Sequence, residues 1–192
     1  MFAVKFPVLL THSWLPRAHV EAPTLGSVVL AACLLKLGSY GLLRFFYCVS
    51  PRRRGFCSKP VFWFIYLSII GGGLCFAQTD AKALIAYSSV VHITAMFGAM
   101  VFCFSASETA NLALSVSHGF VSALIFFFIG CLYDCFSRRS SSVIRGAGRA
   151  FFGRASFWLV VLFRNAGLPP SLRLFAEVFT NASYLALATQ IL

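Results

Sequence analysis

The chain has 192 residues, of which 59% are hydrophobic and only 11% charged, and its apolar runs are too long and too closely spaced for a water-soluble core. At roughly 20 residues per membrane crossing there is room for about five or six spans, packed as one compact bundle. The net charge of +11, from 16 Lys and Arg against 5 Asp and Glu, would suggest nucleic acid in a soluble domain. Here the arginines gather in breaks between apolar runs, at Arg52, Arg53 and Arg54 and from Arg138 to Arg154, where cations hold loops against anionic lipid and set topology, so no nucleic-acid partner is expected.

Residues 1 to 11 make half a helix at most; they are apolar around an embedded Lys5 and lack the basic head and small-residue cleavage site of a signal peptide. Pro7, Pro16 and Pro23 predict a non-helical connection over 12 to 23. The first full span is expected at about 24–47, with Thr24 or Ser27 near its start and Lys36 at its middle, followed by a basic loop over 48–60. A second span runs over about 61–78, and Gln78-Thr79-Asp80 turns the chain into a third at about 83–105, with Asp80 as a helix cap. The fourth spans about 109–133. The stretch 134–155, rich in Arg, Ser and Gly, reads as a surface loop or an interfacial amphipathic helix, placed on the matrix or cytoplasmic side by its cations.

The last apolar region, 156–190, is too long for one ordinary span and is interrupted by Arg164-Asn165-Ala166-Gly167-Leu168-Pro169-Pro170. It predicts a broken helix, which hydrocarbon tolerates only where protein or a wet cavity satisfies the freed backbone groups. The fold class is therefore all-α: a polytopic transmembrane bundle in a single membrane domain over 1–192, with a broken helix near the C-terminus. The seven Cys, at 33, 48, 57, 75, 103, 131 and 135, form no CxxC pair, and five lie inside apolar runs, so they read as small hydrophobes and no metal site is expected.

Five ionisable residues fall at membrane depth: Lys5, Lys36, His92, His118 and Glu177. Each is costly there, and such groups usually mark an ion path or a buried pair. Lys36 lies about 12 residues from either end of its span, roughly 18 Å, which is too far for its stem to reach the interface comfortably. Tyr40 and Arg44 follow at four-residue steps, so the three share one face expected to point into the bundle or a wet cavity. A lone membrane histidine is as easily a hydrogen-bonded packing residue. Two of them between a Lys and a Glu can instead pass a proton along water without a permanently buried charge. Glu177, about two turns past the Pro169-Pro170 break, is either an isolated protonated acid or the salt-bridge partner of Arg173 at i−4.

The spellings around these residues resemble one family, the antiporter-like subunit 4 of NADH:ubiquinone oxidoreductase (complex I), called NuoM in bacteria. Leu15-Pro16-Arg17-Ala18-His19-Val20-Glu21-Ala22-Pro23, then Leu34-Leu35-Lys36-Leu37-Gly38 with Tyr40-Gly41, are similar to its seventh-to-eighth-helix stretch. Gln78 to Lys82 with Leu84-Ile85-Ala86-Tyr87-Ser88-Ser89 resemble its entry to the tenth helix. His118-Gly119 resembles its eleventh-helix motif, and Asn165 to Pro170 with Glu177 its broken twelfth helix. The resemblance implies that Lys5 and Lys36 are the seventh- and eighth-helix lysines, His92 and His118 the connecting histidines, and Glu177 the distal carboxylate of a proton path.

It further implies a multi-pass protein of the mitochondrial inner membrane, a shortened or split subunit contributing to proton translocation. Its expected partners are other membrane-arm subunits, lipids with cardiolipin as a candidate, and a chain supplying earlier helices and an acid opposite Lys5. No redox cofactor is expected on this chain; FMN, iron–sulfur clusters and ubiquinone belong to the rest of such a complex. A non-conducting structural remnant and a cation/proton antiporter subunit are the alternatives. Tyr133-Asp134-Cys135 stands where Tyr-Glu-Arg is usual and Ala176 where Gly is usual, which puts loop contacts and local packing in question.

Overall fold

The computed structural model describes residues 2–49, 59–102, 104–137, 140 and 152–189, all helix, turn or connection, with a single isolated bridge between Asp80 and Ser140. A short helix α1 (Phe2–Lys5) and turns lead to α2 (Trp14–Glu21). The first span is α3 (Thr24–Val29), a π-helical segment (Leu30–Leu34) and α4 (Leu35–Val49) in direct succession. Then follow α5 (Lys59–Phe76), α6 (Ala81–Phe102), α7 (Phe104–Phe136), α8 (Phe152–Asn165) and α9 (Leu172–Thr189). Among the described residues three helices are long and apolar enough to cross a membrane, Thr24–Phe45, Ala81–Met100 and Glu108–Phe136, and α5 adds the shorter apolar stretch Trp63–Phe76. Residues 50–58, 138, 139 and 141–151, and with them most of the two arginine-rich loops and the expected orientation, lie outside the described residues.

Two sequence expectations are corrected. Residues 12–23 are not non-helical: α2 occupies Trp14–Glu21, because Pro16 falls in its first turn, where a missing N–H costs nothing, and Pro23 comes after its end. Nor does the face of Lys36, Tyr40 and Arg44 point inward as a unit. The buried positions of this span are Ser27, Ala31, Leu35, Gly38, Ser39, Leu42 and Leu43, the first three stepping by four across the π segment. In a helix of 3.6 residues per turn such steps drift round the axis, and the wider π turn over Leu30–Leu34 absorbs the drift. Lys36 is left half-buried at the edge of the inner face, whereas Tyr40 and Arg44 are exposed.

The centre of the bundle is the antiparallel pair α6 and α7, with α5 and α2 against α6, and α3, α8 and α9 against α7. Lipid tails are as apolar as the side chains, so close packing and small residues hold such helices together. The glycines follow that rule. Gly38 lies where a Cβ would meet the backbone of Lys5 and Phe6 at 3.3 Å, which lets the end of α1 rest on α4. At Gly130 a Cβ would stand 2.4 Å from Thr24 Cγ2, so α3 and α7 touch there as no other residue permits. Ala176 is buried in the same apolar cluster as Ile93, Met96 and Leu114, and its methyl group is accommodated.

The connection before the first span is tied down by polar residues. Lys82, buried at the start of α6, donates from Nζ to Ala22 O at 3.1 Å, just past the end of α2. His19 is fully buried and stacks flat on Phe126 of α7, ring centroids 4.3 Å apart and planes 5° from parallel. Burial, then the charges of Lys82 and Lys36, push its pKa from the usual 6.5 down to about 4.

Two expectations follow from this packing. Gly130→Ala forces α3 off α7 and should cost about 1–3 kcal/mol, whereas Gly73→Ala, with nothing within 4 Å of the added methyl, should be neutral or stabilising; thermal unfolding of the lipid-embedded protein, followed by its helical signal, separates them. For His19, the unfolded chain takes up a proton near pH 6.5 and the folded chain only near about 4. Stability is therefore full above 6.5 and falls as the pH drops towards 4, by on the order of 3 kcal/mol. His19→Phe, which keeps the stack, should flatten that part of the pH dependence.

Candidate functional site

Three helices bring polar side chains to one level of the membrane. Lys36 comes from α4, two residues past the π segment, and its Nζ donates to Ala31 O, five residues back, at 2.7 Å. Gly119 of α7 makes room for it: a Cβ there would stand 3.1 Å from Lys36 Cε. His118, the neighbour of Gly119, is buried, and its ring lies 5.8 Å centroid to centroid from that of His92 on α6, at 57°. Neither His118 nitrogen has a protein hydrogen-bond partner among the described residues.

Between these groups lies a cavity of a single water's size, with Lys36, Ser39, Ser115 and His118 as its polar lining and Phe6, Leu35, Ile93 and Met96 as its apolar walls. Along α7 the buried polar residues are Asn111, Ser115, Ser117, His118 and Ser122, and all but Ser117 recur at steps of four, three and four, one continuous stripe on the inner face. Both serines of the stripe return their hydroxyl protons to their own helix, Ser115 to Leu112 O and Ser122 to Gly119 O. They can accept a further bond at no cost to the backbone ladder.

Glu177 sits at the helix break. The chain leaves α8 at Asn165, turns at Gly167 with φ +74°, passes Pro169 and Pro170, and re-enters helix at Leu172. Gly167 is required twice, by its positive φ and because a Cβ there would lie 2.8 Å from Glu177 Oε2. The two readings of Glu177 left open by the sequence resolve to the ion pair: Arg173 Nε is 2.8 Å from Glu177 Oε1. Arg173 Nη1 also donates to Asn165 Oδ1 at 2.6 Å, across the break. The α9 charge that acts on Lys36, His92 and His118 is that of Arg173.

Of the five residues singled out in the sequence, the structure thus gathers Lys36, His92 and His118, and pairs Glu177 with Arg173 at the helix break. It leaves Lys5 apart, exposed at the end of α1. The sequence offers Arg173 as a partner of Glu177 at i−4; what it does not disclose is the bond from Arg173 Nη1 to Asn165 Oδ1 across the break. The π turn that hands Lys36 a carbonyl has no signal in Leu30-Ala31-Ala32-Cys33-Leu34. Among the described residues no group of three or more His, Cys, Asp or Glu side chains is placed to hold a metal.

Comparison with known proteins agrees with this architecture. Residues 1–191 match the family described as NADH:quinone oxidoreductase/Mrp antiporter, TM. The chain is 38% identical over 191 residues to NADH-ubiquinone oxidoreductase chain 4 of Ascaris suum, covering 96% of this chain and 44% of that one. It is 37% identical to the same-named protein of Formosania lacustris, covering 92% of this chain and 38% of that one. Among solved structures, respiratory complex I from Thermus thermophilus with bound NADH contains a chain that superposes with a TM-score of 0.83 at 25% identity, over 98% of this chain and 41% of that one. The chain thus spans about two fifths of the length of these relatives. With a family match over residues 1–191 and 38% identity over 96% of its length to one relative, the chain belongs to the NADH:quinone oxidoreductase/Mrp antiporter transmembrane family.

Proposed function

We propose that this chain is part of the membrane arm of respiratory complex I, in the mitochondrial inner membrane, and contributes to proton translocation coupled to electron transfer from NADH to ubiquinone. The observation that carries the reading is the gathering of Lys36, His92 and His118 at one depth, next to a helix break that presents an acid. Such groups are expensive in hydrocarbon and are kept where ions move. FMN, iron–sulfur clusters and ubiquinone belong to other parts of the complex, and other membrane-arm subunits and lipids, cardiolipin among them, are the partners of this one.

The geometry supports a sequence of steps. Lys36 has four carbon–carbon bonds of freedom and a water-sized space beside it, so its ammonium can leave Ala31 O for a water facing His118. From there a proton passes between His118 and His92, whose rings are close enough for one bridging water, and on towards Glu177. Lys5 acts from outside this group: an acid on a neighbouring segment, moving to or from it, changes its charge balance and so the state of the row.

A non-conducting spacer is the second reading, and the small size of the cavity favours it. A cation/proton antiporter subunit is the third; the matched family description spans both kinds of protein. Co-purification with a flavin-containing, quinone-reducing arm separates complex I from an independent antiporter.

In intact complex reconstituted into vesicles, Lys36→Met should lower the number of protons moved per electron pair, while Lys36→Arg, which keeps the charge, should preserve more of it. Undiminished pumping in Lys36→Met would leave the spacer reading standing.

A further inference from the structure

The row leaves one strong group unused. Arg173 is 1% exposed, and a guanidinium is kept in such a place only when its donors are engaged. Two of them are: Nε with Glu177 Oε1 and Nη1 with Asn165 Oδ1. The partners stand on opposite sides of the break, Asn165 as the last residue of α8 and Glu177 one turn further along α9. The third group, Nη2, is buried without a protein partner among the described residues. The other charged or titratable groups that Arg173 meets electrostatically are Lys36 from α4, His92 from α6 and His118 from α7.

We propose that Arg173 is a positioning residue for Glu177: its guanidinium staples the two half-helices through Asn165, seats the carboxylate against Gly167 at the break, and must release it before a proton can reach it from the histidine pair. The proposal rests on the reading that the row from Lys36 to Glu177 carries protons. In the gated step an N–H bond of a protonated histidine breaks and an O–H bond forms on Glu177, directly or through water. The positive charge leaves the ring, the negative charge leaves the carboxylate, and nothing else is consumed.

The geometry explains why one residue does all three things. Glu177 Oε1 is taken by Arg173, and Oε2 faces the bare Cα of Gly167, so the carboxylate has no free rotation towards α6 or α7 while the pair is closed. Asn165, held by the same guanidinium, keeps the break from opening or twisting, which would otherwise swing the acid with it. Opening the pair frees both Arg173 Nε and the acid at once, and the unpartnered Nη2 gives the guanidinium a second direction in which to bond.

The test is a cycle of variants in the intact complex, reconstituted in vesicles, reading protons moved per electron pair and the pH profile of coupled NADH oxidation. Glu177→Gln is expected to lower pumping, and Arg173→Gln to lower it and displace the pH profile, with Arg173→Lys restoring part of both. The double variant should pump as Glu177→Gln alone does, since a residue that acts through the acid has no further effect once the acid is gone. Asn165→Leu should change the profile in the same sense as Arg173→Gln, and less. Pumping lost in Glu177→Gln but unchanged in Arg173→Gln, or a double variant whose losses add in full, overturns the proposal. Full pumping in Glu177→Gln overturns the conduction reading itself, a result visible before Arg173 is touched. Should native gels show that Arg173→Gln does not assemble, Asn165→Leu and Arg173→Lys decide: a displaced profile in both supports the proposal, and wild-type profiles in both overturn it.

Discussion

Hydrocarbon offers no hydrogen bonds, so any backbone or charge that leaves the regular helical pattern inside the membrane must be satisfied by the protein itself. The interruption between Asn165 and Ser171 is where this constraint is sharpest, and its solution is local. Ala166, Gly167 and Leu168 return their N–H groups to Leu162, Arg164 and Phe163, which closes the end of α8 in the manner of a glycine-terminated helix. On the far side Leu174 N–H is met by Ser171, through both its carbonyl and its hydroxyl, which starts α9. With the termini closed, the remaining polar groups at the break are free for side chains, and Arg173 uses them to join the two halves.

The π segment solves the same problem by other means. A wider turn leaves the carbonyl of Ala31 available to a side chain five residues on, and the side chain that takes it is Lys36. Both irregularities therefore lie next to a charged group, one next to Lys36 and the other next to Arg173 and Glu177. The regular helices α6 and α7 pass between them and contribute neutral polar groups, the two histidines and the serine stripe. At the π segment the backbone supplies the acceptor that the ammonium of Lys36 lacks, and at the break the side chains of Asn165 and Glu177 supply the acceptors for Arg173.

How much of this the sequence discloses depends on the range of the signal. Helix class and the break at Pro169-Pro170 are legible because hydropathy and proline act over a few residues and leave their mark in spelling. The depth of Lys36, His92 and His118 is legible by counting from the span ends. That His92 and His118 face one another is less so: it depends on the register of α6 against α7, set by packing between residues such as Ile93 and Leu114, which lie 21 residues apart in sequence and share one buried cluster. The helix at Trp14–Glu21 was hidden by Pro16, whose effect changes sign with its position in the turn. The inward turn of Lys36 without Tyr40 was hidden by a π segment spelled entirely in ordinary helix formers.

Charge balance connects the row to what surrounds it. Lys36 and Arg173 place two cationic groups at the row, where Glu177 is the acid paired with one of them. An ammonium held only by a neutral carbonyl gives up several kcal/mol of solvation in a medium of low polarity, so Lys36 gains from any water or acid that comes within reach. Its helix is bare on the flank beside it, where Leu34, Leu37 and Tyr40 are exposed, while α1 with exposed Lys5 packs against the same helix. A segment laid on that flank would cover apolar surface and could bring a carboxylate to either lysine. Since a paired lysine and an unpaired one hold their protons differently, the position of that acid would set which of the two is ready to release. The internal pair, Arg173 and Glu177, needs no such neighbour. Arg173 and Glu177 thus settle each other's charge within the chain, whereas Lys36 has, among the described residues, only the neutral carbonyl of Ala31 as its partner, an asymmetry between the two irregular segments.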